Sequence, residues 1–516
     1  MDDRAEAVSN HPTPWAACVE TQSSAVFMAG ERVLKLKKPI RTAFLDYTSL
    51  EAREAACESE VRLNTRLSPD VYLGVVHVGL HDGGPGEPVV VMRRLQERDQ
   101  LRVRMAQGDS HLRAEIREVA RRIAVFHSEC DIYCGPDSAG SWEAVHDRWI
   151  EECDEIDLLG DVMSDAEDRW ALRLLGTRYL AGRKPLFDAR VHDGQVREGH
   201  GDLRSEHVYL TQDGPRIIDC VEFDPQLRIA DVLSDVAFLA MDLEQRSRDD
   251  LAEALLSDYR EFSATQYPAS LLEFYVAYRA LVRAKVHAIR ARQVGATDPE
   301  SIRLVRMAVA HLRRAMPTMI CVGGLPGSGK STVSEALAVS RDAVHLSTDE
   351  VRHGLAATAG AERDGVTWET GIYAPEVTDR VYRELFDRAE AALREGYSVV
   401  LDASWRDARH RSQAHAVAGA CWGVPVDIRC EVDQRVALQR LTGSRQGFSQ
   451  AGVDVREEMG NAFAEWPAAR VLNTNRDLET TLRELGDLVD AEVAVVTAGR
   501  GSPPQGVRSP VLHGRR

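Results

Sequence analysis

The stretch MICVGGLPGSGKSTVSEALA, residues 319–338, constrains this chain more than any other. An apolar run over 318–323 reads as a buried strand, and an alanine-rich run after Lys330 reads as a helix. Between them, Gly324 to Ser331 satisfies G-x-x-x-x-G-K-S. Glycines at 324, 327 and 329 let backbone N–H groups turn inward around an anion, and the helix N-terminus adds its positive end. The loop Gly324, Leu325, Pro326, Gly327, Ser328 and Gly329, with Lys330, Ser331 and Thr332, is therefore expected to hold phosphates. Lys330 should reach the terminal phosphates, and the Ser331 hydroxyl should ligate Mg²⁺. Strand, anion-binding turn and helix in that order belong to an α/β layer with a parallel sheet.

The sequence beyond the loop supplies further pieces. In AVHLSTDEVRHGL, Asp349 follows a short strand and Arg352 lies three residues on. In GYSVVLDASWRDARHR an apolar strand ends at Asp402, a second metal-ligand candidate, followed by Arg406, Arg409 and Arg411. ALQRLTGSRQGFSQAG supplies Arg440 and Arg445. Arginines stabilise the charge on a transferring phosphoryl group, and a carboxylate beside an acceptor hydroxyl orients it or takes its proton. The run G-x-x-x-x-G-K-S, D-x-x-R at 349–352 and the strand ending D-A-S at 402–404 resembles the small-molecule and polynucleotide kinase branch of the P-loop kinases. That resemblance implies Asp349 as the acceptor base and Arg352 at the acceptor site. Where the branch often carries S-D-A in its lid, this chain has Ser449, Gln450 and Ala451.

The first 300 residues carry a different set. Lys35 and Lys37 share one face of the strand ERVLKLK, and a lysine beside the cofactor is a standard device for α/β-phosphates. Glu51, Glu54 and Glu58 share one face of the next helix, so one of them is expected to pair with the strand lysine. GHGDLRSEHVYL supplies Asp202 as base or acceptor orienter, and GPRIIDCVEF supplies Asp219 as a carboxylate for Mg²⁺. With IAVFHSE at 123–129, HGDL at 200–203 and IIDCVEFD at 217–224, this constellation resembles the aminoglycoside phosphotransferase family, which has the protein-kinase-like fold. The whole chain resembles a bacterial group that fuses such a domain to a P-loop kinase. The resemblance implies Asp202 as the catalytic aspartate, Asp219 as the second metal aspartate, and Lys35, with Lys37 as runner-up, as the nucleotide lysine. The family's metal asparagine falls on His207. Mg²⁺ prefers oxygen ligands and imidazole suits softer metals. The first site therefore uses a metal such as Mn²⁺, or keeps one ion on Asp219, or binds nucleotide without turnover. His207 bonded to a backbone group is the remaining reading.

The fold expected is an α+β protein-kinase-like domain over 15–300, a linker helix over 301–316, and an α/β P-loop domain with a parallel sheet over 317–497. Pro317 marks the switch of pattern. Polar and Gly/Pro/Ser-rich composition marks 1–14 and 498–516 as disordered ends. Net charge is -17 and neither half is basic, which argues against a broad nucleic-acid-binding face. No apolar run approaches the ~18 residues of a membrane span, and the acidic N-terminus does not read as a signal peptide. The nine cysteines are scattered without redox or zinc spacing, as in a cytoplasmic protein; Cys220 stands out because it adjoins Asp219. The expected activity is ATP- and Mg²⁺-dependent phosphoryl transfer to the hydroxyl of a small molecule. The alternatives are a P-loop enzyme regulated by a nucleotide-binding first domain, and a nucleic-acid 5′-hydroxyl kinase.

Overall fold

The structure is a computed structural model that describes residues 15–497 apart from 22, 43–44, 80–85, 110, 136–137, 161–164, 297, 359–373, 443–458 and 461–462. Arg445, the 449–451 segment and both terminal stretches lie outside the described residues. The chain forms two compact units, Met1–Gly140 with Arg190–Gln266, and Ser141–Ala189 with Tyr267–Arg516.

The first unit opens with a five-stranded antiparallel sheet. Its strands are β1 (Ala16–Glu20), β2 (Ser24–Ala29), β3 (Arg32–Lys37), β4 (Tyr72–Val78) and β5 (Glu87–Arg93), in the order β1-β2-β3-β5-β4. Alternation along β3 puts Val33, Lys35 and Lys37 on one face. The helix Leu50–Asn64 begins at Ser49, whose hydroxyl accepts from the Ala52 amide. It buries Arg53, Ala56, Cys57, Glu60, Leu63 and Asn64, a stripe at i, i+3, i+4 and i+7. Cys57 joins Val71, Tyr72, Val90 and Met92 in a core that also takes Val33 and Ile218.

The rest of this unit is helical, with two short ribbons. Strand β6 (Val196–Glu198) pairs with β9 (Ile229–Asp231), and β7 (Val208–Thr211) pairs with β8 (Gly214–Ile217), both antiparallel. The loop 199–207 lies between β6 and β7, and the turn carrying Asp219 follows β8. The apolar helix Val232–Gln245 is buried over Val232–Leu243 and fixes that loop with two buried carboxylates. Asp235 accepts from the amides of His200 and Gly201, and Asp242 accepts from the Ser205 amide and hydroxyl.

The second unit combines a group of long helices with a parallel sheet. The helices Trp142–Leu158, Ala166–Ala181 and Ala269–Val294 meet at Phe274, whose ring lies 4.8 Å from Tyr179 and 5.5 Å from Trp149, and Pro299–Ala315 packs against Ala269–Val294. The stretch read as a linker helix lies within Pro299–Ala315, which buries Leu304, Val305, Ala308 and Leu312. Pro317 separates it from β10 (Thr318–Gly323). Then come β11 (Val344–Ser347), β12 (Val399–Asp402), β13 (Val424–Glu431) and β14 (Arg470–Asn473), all parallel, in the order β11-β12-β10-β13-β14. The chain leaves central β10 toward one side and returns on the other, so a crevice opens at its carboxyl end. Packing groups helices 141–189 and 267–315 with this sheet. The fully buried Arg183 donates to the Cys421 carbonyl at 2.8 Å, Arg178 to that of Gly423 at 2.9 Å, and the Ser270 hydroxyl to that of Gly396 at 2.6 Å.

Candidate active sites

In the first unit β3 presents two lysines to one buried carboxylate. Lys35 Nζ lies 2.8 Å from Glu60 Oε1 and 2.9 Å from Asp219 Oδ1. Lys37 Nζ lies 2.7 Å from Glu60 Oε2 and bonds Glu222, whose Oε1 also accepts from the Tyr47 hydroxyl at 3.3 Å. The partner of the strand lysines is therefore Glu60, which corrects the expectation of Glu51, Glu54 or Glu58. Glu51 and Glu58 lie on the exposed side of the helix, and Glu54 bonds His77 at 2.7 Å. The helix turns its Ala56–Cys57 stripe inward, and Glu60 is the acid on that stripe. A glutamate inside an apolar i, i+3, i+4 pattern was the available signal. Burial works against the Lys35 charge, but Asp219, Glu60 and Glu222 outweigh it and hold its pKa well above the usual lysine value. The same Lys35 ammonium holds Asp219 far below the usual carboxylate range.

Asp219 has a left-handed backbone, φ 65°, a conformation that costs a non-glycine residue about 1–3 kcal/mol. Its amide donates to the Tyr72 hydroxyl at 3.2 Å, and the next amide donates to Asn64 Oδ1 at 2.9 Å, so the surroundings enforce it. The loop residues converge from the other side. Arg204 grips both oxygens of Asp202 at 2.8 Å and also bonds Glu206. His207 Nδ1 lies 2.7 Å from the Asp202 carbonyl, which can only accept, so Nδ1 carries the proton. Its Nε2 lies 3.6 Å from Asp219 Oδ2 and 3.4 Å from Arg204 Nη2. Any cation on Nε2 would sit against a guanidinium, so the geometry gives the softer-metal reading no support. Burial lowers the pKa of His200 to about 4, and it bonds as a neutral ring between the Ile218 carbonyl and the Asp202 amide. Cys220 is buried, and burial pushes its thiol up to about 12, which makes it an inert packing residue.

The second unit carries the phosphate loop at the carboxyl end of β10. Gly324 has φ 146°, and a side chain there would meet the Cys430 carbonyl at 2.8 Å; at Gly327, φ 79°, it would meet the Ala437 carbonyl at 2.9 Å. Leu325, Pro326, Ser328 and Gly329 complete the turn, and the helix Lys330–Ser340 places Ser331 and Thr332 in its first turn. Lys330 Nζ lies 4.0 Å from Asp402 Oδ1, a buried oxygen with no hydrogen-bond partner among the described residues. Parallel register sets Asp402 beside Val322 on one side and Ser347 on the other. An unsatisfied buried carboxylate oxygen at a phosphate loop fits a cation ligand. Among the described residues no group of three or more His, Cys, Asp or Glu side chains is arranged to hold a metal. Mg²⁺ needs few protein ligands when phosphates and waters supply the rest.

Asp349 opens the helix Thr348–Thr358, its amide donating to the Ser347 hydroxyl at 3.2 Å. Arg352 is buried, with Nη1 3.5 Å from Thr378 Oγ1. Arg440 reaches the phosphate loop, 3.5 Å from the Gly327 carbonyl, and donates to the Thr474 carbonyl at 2.8 Å; Thr474 in turn donates to the Ser328 carbonyl at 2.6 Å. Arg409 pairs with Asp407 at 2.7 Å on the surface. Arg411 bonds the carbonyls of Ala464 and Glu465 and lies 5.3 Å from the Trp466 ring centroid. These two arginines are structural. A cavity of about 390 Å³ beside the loop is lined by Gly324, Ser328, Arg429, Glu431, Phe463 and Glu465 among others.

A parallel sheet with a glycine-rich phosphate loop in one unit and a Lys–Glu–Asp site in the other place the chain in the kinase and phosphotransferase class. Residues 30–274 match the phosphotransferase enzyme family, and residues 319–466 match the AAA domain family. The chain is 34% identical over 469 residues, 90% of its length and 94% of the relative's, to an uncharacterized protein of Mycobacterium tuberculosis strain H37Rv. It is also similar to a choline/ethanolamine kinase family protein from Mesorhizobium loti, at 18% identity over 60% of this chain and 89% of that one, TM-score 0.38. A gluconokinase from Sinorhizobium meliloti matches at 17% identity over 35% of this chain and 94% of that one, TM-score 0.26. The chain belongs to the family of two-part proteins that the mycobacterial relative represents, a phosphotransferase-family domain followed by a P-loop kinase domain. No helix among the described residues is long and apolar enough to cross a membrane.

Proposed function

We propose that the chain transfers the γ-phosphoryl group of ATP to the hydroxyl of a small molecule and that each unit holds one nucleotide site. The observation that carries this reading is a lysine set beside a buried or strained carboxylate in each unit: Lys330 4.0 Å from Asp402, and Lys35 2.9 Å from Asp219. When bound, Mg²⁺ would supply charge neutralisation between the phosphates; Ser331 and Asp402 would hold it in the second unit and Asp219 in the first. In the P-loop unit the acceptor oxygen bonds to the γ-phosphorus, the bridging P–O bond to ADP breaks, and Asp349 takes the acceptor proton. Lys330 and Arg440, with Arg445, neutralise charge on the transferring group, and Arg352 lies toward the acceptor.

In the first unit Asp202 orients the acceptor hydroxyl, Lys35 takes the nucleotide phosphates and Glu60 holds Lys35. One observation favours the rival reading, in which this unit binds nucleotide without turnover: Arg204 occupies both oxygens of Asp202. A soluble cytoplasmic setting completes the proposal. The test is ATP consumption by the full chain against a panel of hydroxyl-bearing metabolites. Asp202→Asn and Asp349→Asn are each expected to remove transfer at one unit. Unchanged transfer in the chain carrying both substitutions would refute the proposal. Loss with Asp349→Asn alone, and none with Asp202→Asn, would select the rival.

A further inference from the structure

Five side chains in the first unit form a ladder of alternating charge, Asp219–Lys35–Glu60–Lys37–Glu222. Its two ends differ. Asp219 is half-exposed and the Lys35 side chain keeps 16% exposure, whereas the Lys37 side chain has no exposure at all. Lys37 is packed 5.7 Å from the centroid of the Tyr47 ring, and Tyr47 donates to the Glu222 carboxylate that Lys37 also bonds. Lys37 is thus too enclosed to reach a nucleotide. Glu222 lies three residues after Asp219, so the Lys37–Glu222 bond ties β3 to the strained turn that presents Asp219.

A magnesium nucleotide at this site would redistribute these partners. Asp219 would hold the metal and Lys35 would hold the phosphates, so Lys35 would share its charge with the ligand. Glu60 would then rely more on Lys37, which it shares with Glu222. A buried carboxylate that loses its cation is costly. We propose that Lys37 and Glu222 are positioning residues for the first site: they hold Glu60 and the Asp219 turn in place while Lys35 and Asp219 are drawn to the nucleotide and its metal. This inference rests on the nucleotide-site reading above. It separates two lysines that the sequence left as alternatives, one that binds phosphate and one that binds the binding machinery.

The test uses the full chain carrying Lys330→Ala, so that the P-loop contributes little. A fluorescent ATP analogue is titrated with Mg²⁺ and again with EDTA. Lys35→Met is expected to weaken binding about tenfold or more in both conditions. Lys37→Met with Glu222→Gln, which removes the lysine and the Glu222 charge while Glu60 keeps Lys35, is expected to weaken only the Mg²⁺-dependent binding, about tenfold, because the Asp219 turn is no longer held. Lys37→Arg should restore binding to within about threefold. Circular dichroism and the thermal transition confirm that each variant is folded. A folded Lys37→Met/Glu222→Gln chain with wild-type Mg²⁺-dependent affinity would overturn the proposal, as would equal losses with and without Mg²⁺. If Lys35→Met leaves both affinities unchanged, the nucleotide-site reading falls, and the proposal with it.

Discussion

Replacing Glu60 by glutamine tests the buried ladder with almost no change of shape. The carboxylate is 1% exposed and lies within 2.8 Å of two ammonium groups, Lys35 and Lys37. Removing one partner of a buried ion pair costs about 3–5 kcal/mol. Here each lysine keeps a second carboxylate, Asp219 or Glu222, which places the loss at the lower end, about 3 kcal/mol. For a unit of this size that corresponds to a fall of about 6–12 °C in its melting temperature. The pH dependence has a fixed sign. Burial alone would raise the pKa of Glu60, but Lys35 and Lys37 override it and leave it lowered. Its contribution is therefore present above the unfolded glutamate value of about 4.3 and is lost as pH falls through the lower folded value. The paired lysines titrate far above neutrality, so the gap between wild type and Glu60→Gln should stay level from about pH 6 to 9 and close in acid. Thermal unfolding of the full chain across that range measures it. A shift under about 2 °C at pH 7, or a gap that widens in acid, would refute the reasoning.

Other expectations follow from single contacts. Lys330→Ala should lower turnover at the P-loop site about 10²–10³-fold with unchanged circular dichroism, since it removes charge from a preorganised phosphate site; activity within about threefold would contradict the assignment. Arg183→Ala should destabilise the second unit by about 1.5–3 kcal/mol in urea unfolding, because it leaves the buried Cys421 carbonyl without its charged donor. Cys220, buried with a raised thiol pKa, should resist iodoacetamide at pH 8 in the folded chain and react after denaturation.

The phosphate loop was legible because its chemistry is local. Strand, turn and helix are contiguous, and the glycines at 324 and 327 are demanded by backbone conformation and by neighbouring carbonyls. The helix stop at Pro317 was legible for the same reason. Side-chain pairing was harder. Glu60 was hidden because a glutamate on an apolar stripe violates the usual pattern, and only two lysines from a distant strand make its burial tolerable. The roles of Arg409, Arg411 and Arg440 could not be ranked from spacing, since they depend on whether Asp407, two backbone carbonyls or the phosphate loop is nearest. His207 was read from its place in a loop pattern, but its ring orientation is set by the Asp202 carbonyl. The grouping of helices 141–189 with the P-loop sheet rests on contacts such as Arg183 to Cys421, which no linear pattern encodes.

The central claim, a nucleotide site in each unit, is tested most directly by calorimetric titration of the full chain with a non-hydrolysable ATP analogue and Mg²⁺. The account predicts a stoichiometry of two per chain, falling to one in Lys330→Ala and to one in Lys35→Met, with the surviving site different in each. A stoichiometry of one in the wild-type chain that only Lys330→Ala abolishes would contradict it.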